Sequence, residues 1–348
     1  MRTLTRAMRP ASGSATGATV RRLLAVVVVV SVALLVQAGA ALAVPTKPPT
    51  DTTYYVQYPY NGGTTPDTGS NGYAAGCAQG TFDSSHNNAD SLVVLDFGAQ
   101  KSTNDGTYLP LSNTPVTYAN DEHYAENFAY GYWVCTGSDT TSTLILGIAT
   151  NNSGSLVTST GGSSWANVVN TVVNWTSTGT YSYLASQVTI FGGADLEPAF
   201  KTQSATISWT DGYDGVITAP FYVNIGSCDA CPTTATGGNG YSFNPGGNGG
   251  TWNQYGVWDI SYGENDAMTA PEIYVSPQQN QWAAISDYGY IAHGGAVYYE
   301  GPLDEYPRDH STYTSSQAWT NFWNALQGFG GVTAQTPPFS LEITATSS

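Results

Sequence analysis

The sequence has very few basic residues, and most of them lie in its first segment. Five of the nine lysines and arginines precede residue 23, in a stretch that has no acidic residue: Arg2, Arg6, Arg9, Arg21 and Arg22. The rest of the chain therefore carries four basic residues against 25 acidic ones. A surface this acidic repels nucleic-acid phosphates and anionic lipid headgroups. We therefore expect no nucleic-acid partner and no membrane-surface partner.

Long apolar runs are also scarce. The longest uncharged apolar stretch extends from Leu23 to Val36, which is short for a membrane span of about 20 residues. It follows Arg21 and Arg22, and small residues ending in Ala41-Leu42-Ala43 come after it. This order predicts a secretory signal peptide over residues 1–43, cleaved before Val44, and an extracellular mature protein with no membrane anchor. The export route, general or twin-arginine, stays open.

Cysteine is rare as well, with four in the chain, namely Cys77, Cys135, Cys228 and Cys231. An even number in an oxidising compartment predicts two disulfides, and proximity along the chain favours Cys77–Cys135 and Cys228–Cys231. The C-x-x-C pair is also compatible with a redox site or half a zinc site. No second C-x-x-C accompanies it, so we favour a structural disulfide.

Several catalytic motifs are absent. No G-x-G-x-x-G follows a predicted strand and no Walker motif occurs, which disfavours nucleotide-binding folds. No G-x-S-x-G occurs, which disfavours a serine hydrolase. The four histidines have no metal-ligand spacing: His86, His123, His293 and His310. We therefore predict no cofactor and no metal site.

What the chain does contain is an alternation of apolar strands and helices. Strands are predicted at residues 91–97, 143–149, 187–193, 220–225, 257–262, 272–275 and 295–299. Helices are predicted at residues 121–135, 164–175, 198–209, 277–286 and 315–326. Nearly continuous apolar strands separated by helices indicate a parallel sheet covered by helices, and seven strands over about 250 residues favour a (βα)8-type TIM barrel. We predict a single α/β domain over residues 91–348, with residues 44–90 as a linker and an N-terminal lid.

Carboxylates follow the predicted strands. The run ending Gly193-Ala194-Asp195-Leu196-Glu197-Pro198 places two acids at i and i+2, which share one side of extended backbone. Asp96 ends the first predicted strand. Strand C-termini meet at one rim of a parallel barrel, so Asp96, Asp195 and Glu197 are predicted catalytic residues with at least one raised carboxyl pKa. The alternatives are that Asp195 and Glu197 only cap a helix beginning near Pro198, and that Asp96 only binds loop amides.

Five further residues are predicted to contact a substrate: Tyr222, Asn224, Asp259, Tyr262 and Glu300. The aromatic side chains would stack on sugar rings, Asn224 would bind a hydroxyl or acetamido group, and Glu300 ends the last predicted strand. Asp259 lies within a predicted strand, so a structural role is the alternative to substrate contact for this residue. Glu272 opens its predicted strand, at the opposite rim, and is therefore left out of the site.

Leu95-Asp96-Phe97 and the later Asp195-Leu196-Glu197 resemble motifs of the glycoside-hydrolase-like barrels that include the Chalaropsis-type lysozymes and related secreted actinobacterial domains. The resemblance spans residues 91–303 and implies that Glu197 is the proton donor, that Asp195 assists the substrate's acetamido group, and that Asp96 is the first-strand acid. The chain differs from those lysozymes in its long segment before Asp96 and in having Pro198 directly after the Glu.

The sequence thus predicts a secreted glycoside hydrolase-like protein that acts on an N-acetylated wall polysaccharide, peptidoglycan or chitin, by carboxylate acid/base chemistry. Its Asn-, Ser-, Thr-, Gln- and Gly-rich composition suits a neutral, hydroxyl-rich ligand. Two alternatives stay open, namely a catalytically inactive barrel that binds cell-wall glycan and a structural secreted protein. The oligomeric state is not predicted.

Overall fold

Strands and helices alternate along nearly the whole of the described chain. The computed structural model describes residues 44–57, 65–86, 89–137, 139–219, 222–263, 267–306, 312–329 and 334–346, and the predicted signal peptide lies outside them. The strands are β1 Thr50–Tyr55, β2 Asp90–Gln100, β3 Gly106–Tyr108, β4 Pro115–Thr117, β5 Thr143–Asn151, β6 Val188–Asp195, β7 Tyr222–Asn224, β8 Ser242–Phe243, β9 Trp252–Asn253, β10 Met268–Thr269, β11 Leu303–Asp304 and β12 Ser340–Ala345. The helices are α1 Asn71–Ser85, α2 Tyr118–Thr136, α3 Ser159–Ser177, α4 Gln203–Asp214, α5 Gln254–Trp258, α6 Gln278–His293 and α7 Ser315–Gln327.

Among the described residues, eight strands lie side by side in the order β10-β7-β6-β5-β2-β1-β12-β11, and every neighbouring pair is parallel. The β3–β4 hairpin extends this sheet from the C-terminal end of β2. Isolated parallel bridges also join Thr269 to Tyr299 and Glu272 to Leu303, at the two ends of the strand order. The predicted α/β class, a curled parallel sheet with helices between its strands, is confirmed.

The sheet is buried on both faces, which explains why its longer strands read as continuous apolar runs. One face packs against the helices, through side chains such as Trp165 of α3 and Trp209 of α4. The other, here called the inner face, carries a smaller apolar cluster contributed by strands and strand-flanking residues: Leu92, Val94, Ala149, Phe191, Val223, Ile225, Ala270, Leu303, Phe339, Leu341 and Ile343. Its members within a strand are two or four residues apart, which is the period of extended backbone.

Residues 44–90, predicted as a linker and lid, instead contribute β1 and α1 to the fold. β1 lies between β2 and β12 in the sheet, where polar Asp51 and Thr53 are buried. α1 packs on α2 at very short range, because a Cβ added to Gly76 would lie 2.0 Å from the Phe128 carbonyl oxygen. The segment has few large apolar side chains because its helix packs through glycine. Its sequence therefore lacks the apolar residues at helical spacing that would predict a helix.

Both predicted disulfides are present, and Cys77–Cys135 joins α1 to α2. The predicted strand at 257–262 is wrong: these residues form the end of α5 and a π-helical turn, Asp259–Gly263. The side chain of Asn253 caps α5 by accepting a hydrogen bond from the Gly256 amide, 3.0 Å away, which sets the helical start. No helix in the described parts of the chain is long and apolar enough to span a bilayer.

Candidate functional site

Four carboxylates extend the inner face beyond its apolar cluster. Asp96 comes two residues after Val94, Asp195 four after Phe191, Glu272 two after Ala270 and Glu305 two after Leu303, and these four apolar residues are all in the inner cluster. Because side-chain direction repeats every two residues in extended backbone, the acids face the same way, near or just beyond the C-terminal ends of their strands. Their exposed fractions are 0% for Asp96, 5% for Asp195, 4% for Glu272 and 8% for Glu305.

Asp96 also shapes the loop above the acids. Its Oδ1 accepts a hydrogen bond from the Gly98 amide at 2.8 Å, while its buried Oδ2 has no hydrogen-bond partner. Gly98 has a φ of +75°, and a Cβ there would lie 2.2 Å from the Tyr108 carbonyl oxygen, so glycine is required. The register of β2 against β5 shifts between Asp96 and Ala99, which marks an irregularity that leads β2 into the β3–β4 hairpin.

The backbone that carries Asp195 and Glu197 is held by two asparagine side chains. Asn152 accepts a hydrogen bond from the Glu197 amide and donates one to the Glu197 carbonyl oxygen, both at 3.0 Å. Asn224 Oδ1 accepts from the Leu196 amide at 3.3 Å. α4 begins only at Gln203, so neither acid caps it, which removes the capping alternative. These contacts turn the chain after β6 so that the Glu197 side chain is half-buried.

Glu272, which the sequence analysis placed at the wrong rim, belongs to the same acidic cluster. One carboxylate oxygen from each of Asp195, Glu197 and Glu272 lies within 4.8 Å of the others. The strand that positions Glu272 is not residues 272–275 but the two-residue β10 that precedes it, and Glu272 itself bridges to Leu303. Burial, together with repulsion from Glu197 and Asp195, raises the carboxyl pKa of Glu272 well above its ordinary value.

Glu305 and Tyr55 are further members of the site that the sequence analysis missed. The Tyr55 hydroxyl donates a hydrogen bond to Glu305 Oε1 at 2.5 Å. Glu305 follows a two-residue strand, and Tyr55 ends a strand within the segment predicted as a linker. The usable signal for β1 was its run of threonine and tyrosine and not an alternation, because polar residues lie on both of its faces, whereas β11 is too short to show any periodicity.

A cavity of about 420 Å³ opens above these acids. Its walls come from the ends of β1, β2, β5 and β6, from Glu305, and from the hairpin connection between β3 and β4, residues 108–113, here called the rim loop. The lining residues are Tyr55, Asp96, Ala99, Tyr108, Leu109, Pro110, Leu111, Asn113, Asn151, Ser153, Asp195, Glu197, Phe200 and Glu305. Tyr108 and Leu111 of the rim loop are exposed. Within the described chain, no lysine, arginine or histidine lines this cavity.

Burial and mutual repulsion raise the carboxyl pKa values in this cluster. Burial raises the pKa of Asp96 to about 7, although a hydrogen bond from the Gly98 amide opposes this shift. The pKa of Asp195 is well above its ordinary value because the group is buried and because Glu197, Asp96 and Glu305 repel its charged form. Burial also raises the pKa of Glu197 to about 7, against a hydrogen bond from Ser227. At neutral pH the site therefore retains protons on carboxyl groups.

The structure brings the three predicted catalytic residues, Asp96, Asp195 and Glu197, onto one cavity. The five predicted substrate-contacting residues lie outside its lining: Tyr222, Asn224, Asp259, Tyr262 and Glu300. Tyr222 is buried against the helices, with its hydroxyl bonded to the Ile260 carbonyl oxygen, and Asn224 is buried and bonded to backbone amides.

The remaining three predicted contact residues, Asp259, Tyr262 and Glu300, also lie away from the cavity lining. Asp259 and Tyr262 lie on the π-helical turn, where Trp258 packs against Tyr262 with ring centroids 6.3 Å apart. Glu300 is buried beside the Thr269–Tyr299 bridge, and burial raises its pKa to about 7. None of these three side chains is therefore included in the cavity site.

Comparison with known proteins gives little similarity. No family model matches the chain, and no curated protein matches it. Among solved structures, the chain is similar to a mandelate racemase/muconate lactonizing enzyme from Jannaschia sp. CCS1 at 13% identity, with a TM-score of 0.28. The match covers 71% of this chain and 53% of that enzyme's length. A similarity this weak supports no argument about fold or function, so the resemblance to glycoside-hydrolase-like barrels stays a prediction.

Proposed function

We propose that this protein is a secreted glycoside hydrolase that cleaves an N-acetylated polysaccharide in the cavity above the inner-face acids. The observation that carries the proposal is the convergence of Asp96, Asp195, Glu197 and Glu305 on one cavity at the C-terminal ends of parallel strands. Glycosidic bond cleavage requires one carboxyl group that donates a proton and a second group that stabilises the cationic transition state. The cavity holds both kinds of group with no basic side chain in its described lining.

Glu197 is the proton donor in this mechanism. It is half-buried and lines the cavity, whereas Asp195 lies deeper, so Glu197 is the acid that a glycosidic oxygen reaches first. Its raised pKa keeps a fraction of the carboxyl protonated near neutral pH, as a general acid requires. Asp195, with one buried oxygen that no other group binds, orients the acetamido group as it attacks the anomeric carbon.

The spacing of the carboxylates favours retention of anomeric configuration. Inverting enzymes separate their two carboxyl groups by about 6.5–9.5 Å to admit a water molecule between acid and base. One oxygen of Asp195 and one of Glu197 lie within 4.8 Å of each other, which is shorter than that separation. An acetamido-assisted or covalent route fits the shorter distance.

The proposal includes a closed eight-stranded barrel. The two isolated bridges join residues 269–272 to residues 299–303, that is, β10 to the segment entering β11. Backbone hydrogen bonds support this contact, from the Glu300 amide to the Thr269 carbonyl and from the Leu303 amide to the Pro271 carbonyl, both at 2.8 Å. Closure would make the inner cluster the filled core of a barrel, with the acids as its upper layer.

Secretion is proposed from the predicted signal peptide over residues 1–43, and the two disulfides agree with an oxidising compartment. The same cavity would also suit a barrel that binds cell-wall glycan without cleaving it, since the exposed Tyr108 and Leu111 offer apolar surface to a sugar ring.

The test is release of reducing ends by the mature protein, residues 44–348, from peptidoglycan and chitin in the presence of EDTA. Glu197→Gln should lower the turnover number by about 100-fold or more, because the amide keeps the shape but does not donate the proton. Asp304→Asn is the matched control: Asp304 is buried, faces away from Glu305, and its asparagine retains the acceptor for the Tyr306 amide. Equal activity in all three proteins would contradict the role of Glu197. A wild type that is retained on one of these glycans but releases nothing would identify a binding protein.

A further inference from the structure

We propose that Asp195, Glu197 and Glu272 bind one calcium ion at the base of the cavity. The three carboxylates come from two separate parts of the sheet, the end of β6 and the segment after β10. One oxygen from each lies within 4.8 Å of the others. Three carboxylates at this distance enclose a position for an oxygen-binding cation.

Two unpartnered buried oxygens point independently to a missing ligand. Asp195 Oδ1 accepts no hydrogen bond although Asp195 is only 5% exposed. Asp96 Oδ2 is likewise unpartnered, on a fully buried residue that lines the same cavity and whose charge acts on Asp195. A buried carboxylate oxygen without a partner costs free energy, which a bound cation would recover.

The charge around the cavity agrees with a cation. Asp96, Asp195, Glu197 and Glu305 line it, and Glu272 lies beside them, while its described lining contains no lysine, arginine or histidine. Buried acids are normally paired with basic groups or coordinate metals. A divalent cation would compensate two of these charges.

The ligand set selects the metal. All three ligands are carboxylate oxygens, which suit hard cations and not zinc or copper. Calcium accepts six to eight oxygen ligands at about 2.3–2.6 Å in flexible geometry, whereas magnesium demands a near-ideal octahedron at about 2.0–2.1 Å. Three carboxylate oxygens that lie within 4.8 Å of one another suit the more flexible calcium geometry. Further carboxylate oxygens and water would complete the coordination.

Calcium binding goes beyond the proposed function, and each of the two proposals can be contradicted without the other. Binding is measured on the protein without glycan, and glycan release is measured in EDTA without calcium. If both are correct, calcium should reduce glycan release, because the ion holds the Glu197 carboxylate that would otherwise carry the proton.

The experiment is isothermal titration of CaCl₂ into the EDTA-treated and dialysed mature protein at pH 8, with melting temperatures recorded in parallel. We expect one site with a dissociation constant of about 10⁻⁴–10⁻³ M, as in extracellular calcium modules, and a higher melting temperature with calcium. Glu272→Gln and Asp195→Asn should each weaken binding at least about tenfold, as loss of a charged ligand does, while Asp304→Asn should not.

Two ligand variants, Glu272→Gln and Asp195→Asn, are measured so that a folding defect in one of them does not decide the test. Absence of any calcium heat and of any melting shift in the wild type would overturn the proposal. Equal weakening by Asp304→Asn would also overturn it, since that carboxylate is outside the cluster and its effect would reflect only general acidity. Tighter binding of MgCl₂ than of CaCl₂ would contradict the assignment to calcium.

Discussion

The Tyr55 hydroxyl donates a hydrogen bond to Glu305 Oε1 at 2.5 Å, and this contact ties two strands on either side of β12. Burial and the surrounding acids hold the pKa of Tyr55 far above its ordinary value, so the phenol stays a proton donor at every working pH. The contact fixes the Glu305 carboxylate at the cavity wall.

We expect Tyr55→Phe to lower the free energy of unfolding by about 1.5–3 kcal/mol, the usual contribution of a hydrogen bond to a charged group. Urea unfolding at pH 8 measures it. Tyr108→Phe is the control, because Tyr108 is 37% exposed on the rim loop and should change stability by less than about 0.5 kcal/mol. Similar losses in both variants would show that the Tyr55–Glu305 bond contributes nothing specific.

Stability should fall as pH rises from about 4 to about 7. Burial raises the pKa of Asp51 to about 7 and that of Asp96 to about 7, from an ordinary value of 3.8. Between these values the folded state keeps protons that the unfolded state releases, so raising the pH favours unfolding. The melting temperature should therefore be higher at pH 5 than at pH 8. Asp51→Asn should flatten this dependence, and a protein that is more stable at pH 8 would contradict it.

Asp195→Asn should stabilise the protein at pH 8 while lowering glycan release. The substitution removes one of several mutually repelling buried carboxylates, and sites arranged for chemistry are commonly destabilised. We expect a gain of about 1 kcal/mol or more by urea unfolding in EDTA. A loss of stability would mean that the Asp195 charge is required structurally.

The two disulfides should differ in their contribution. Cys77–Cys135 closes a loop with a sequence separation of 58, and Cys228–Cys231 one with a separation of 3. In the chain-entropy model, paired Cys→Ala substitutions should cost about 4 kcal/mol for the first bridge and about 2 kcal/mol for the second. Urea unfolding of the two double variants tests this order. A larger loss of unfolding free energy in the Cys228–Cys231 variant would contradict it.

Long strands were predictable because each carries enough side chains to show its pattern. β2, β5 and β6 are 11, 9 and 8 residues long and buried on both faces, and their apolar runs placed Asp195 correctly at the end of β6. Helices α2, α3, α6 and α7 were predicted for the same reason. Asp96 was predicted to end its strand, but β2 continues to Gln100. Of the predicted strand at 295–299, only Tyr299 is paired, in an isolated bridge to Thr269. The paired backbone there is too short to form a strand.

The sequence by itself determined the alternation of strands and helices and the acids near the ends of the long strands, and it favoured the disulfide pairing that the structure shows. Only the tertiary structure decided that Glu272 and Glu305 join them and that Tyr222 and Asn224 do not line the cavity. β10 and β11 are two residues each, too short for a period of two to be visible. Their positions are set by hydrogen bonds from neighbouring strands and by packing on the inner cluster, and neither is encoded in the local sequence.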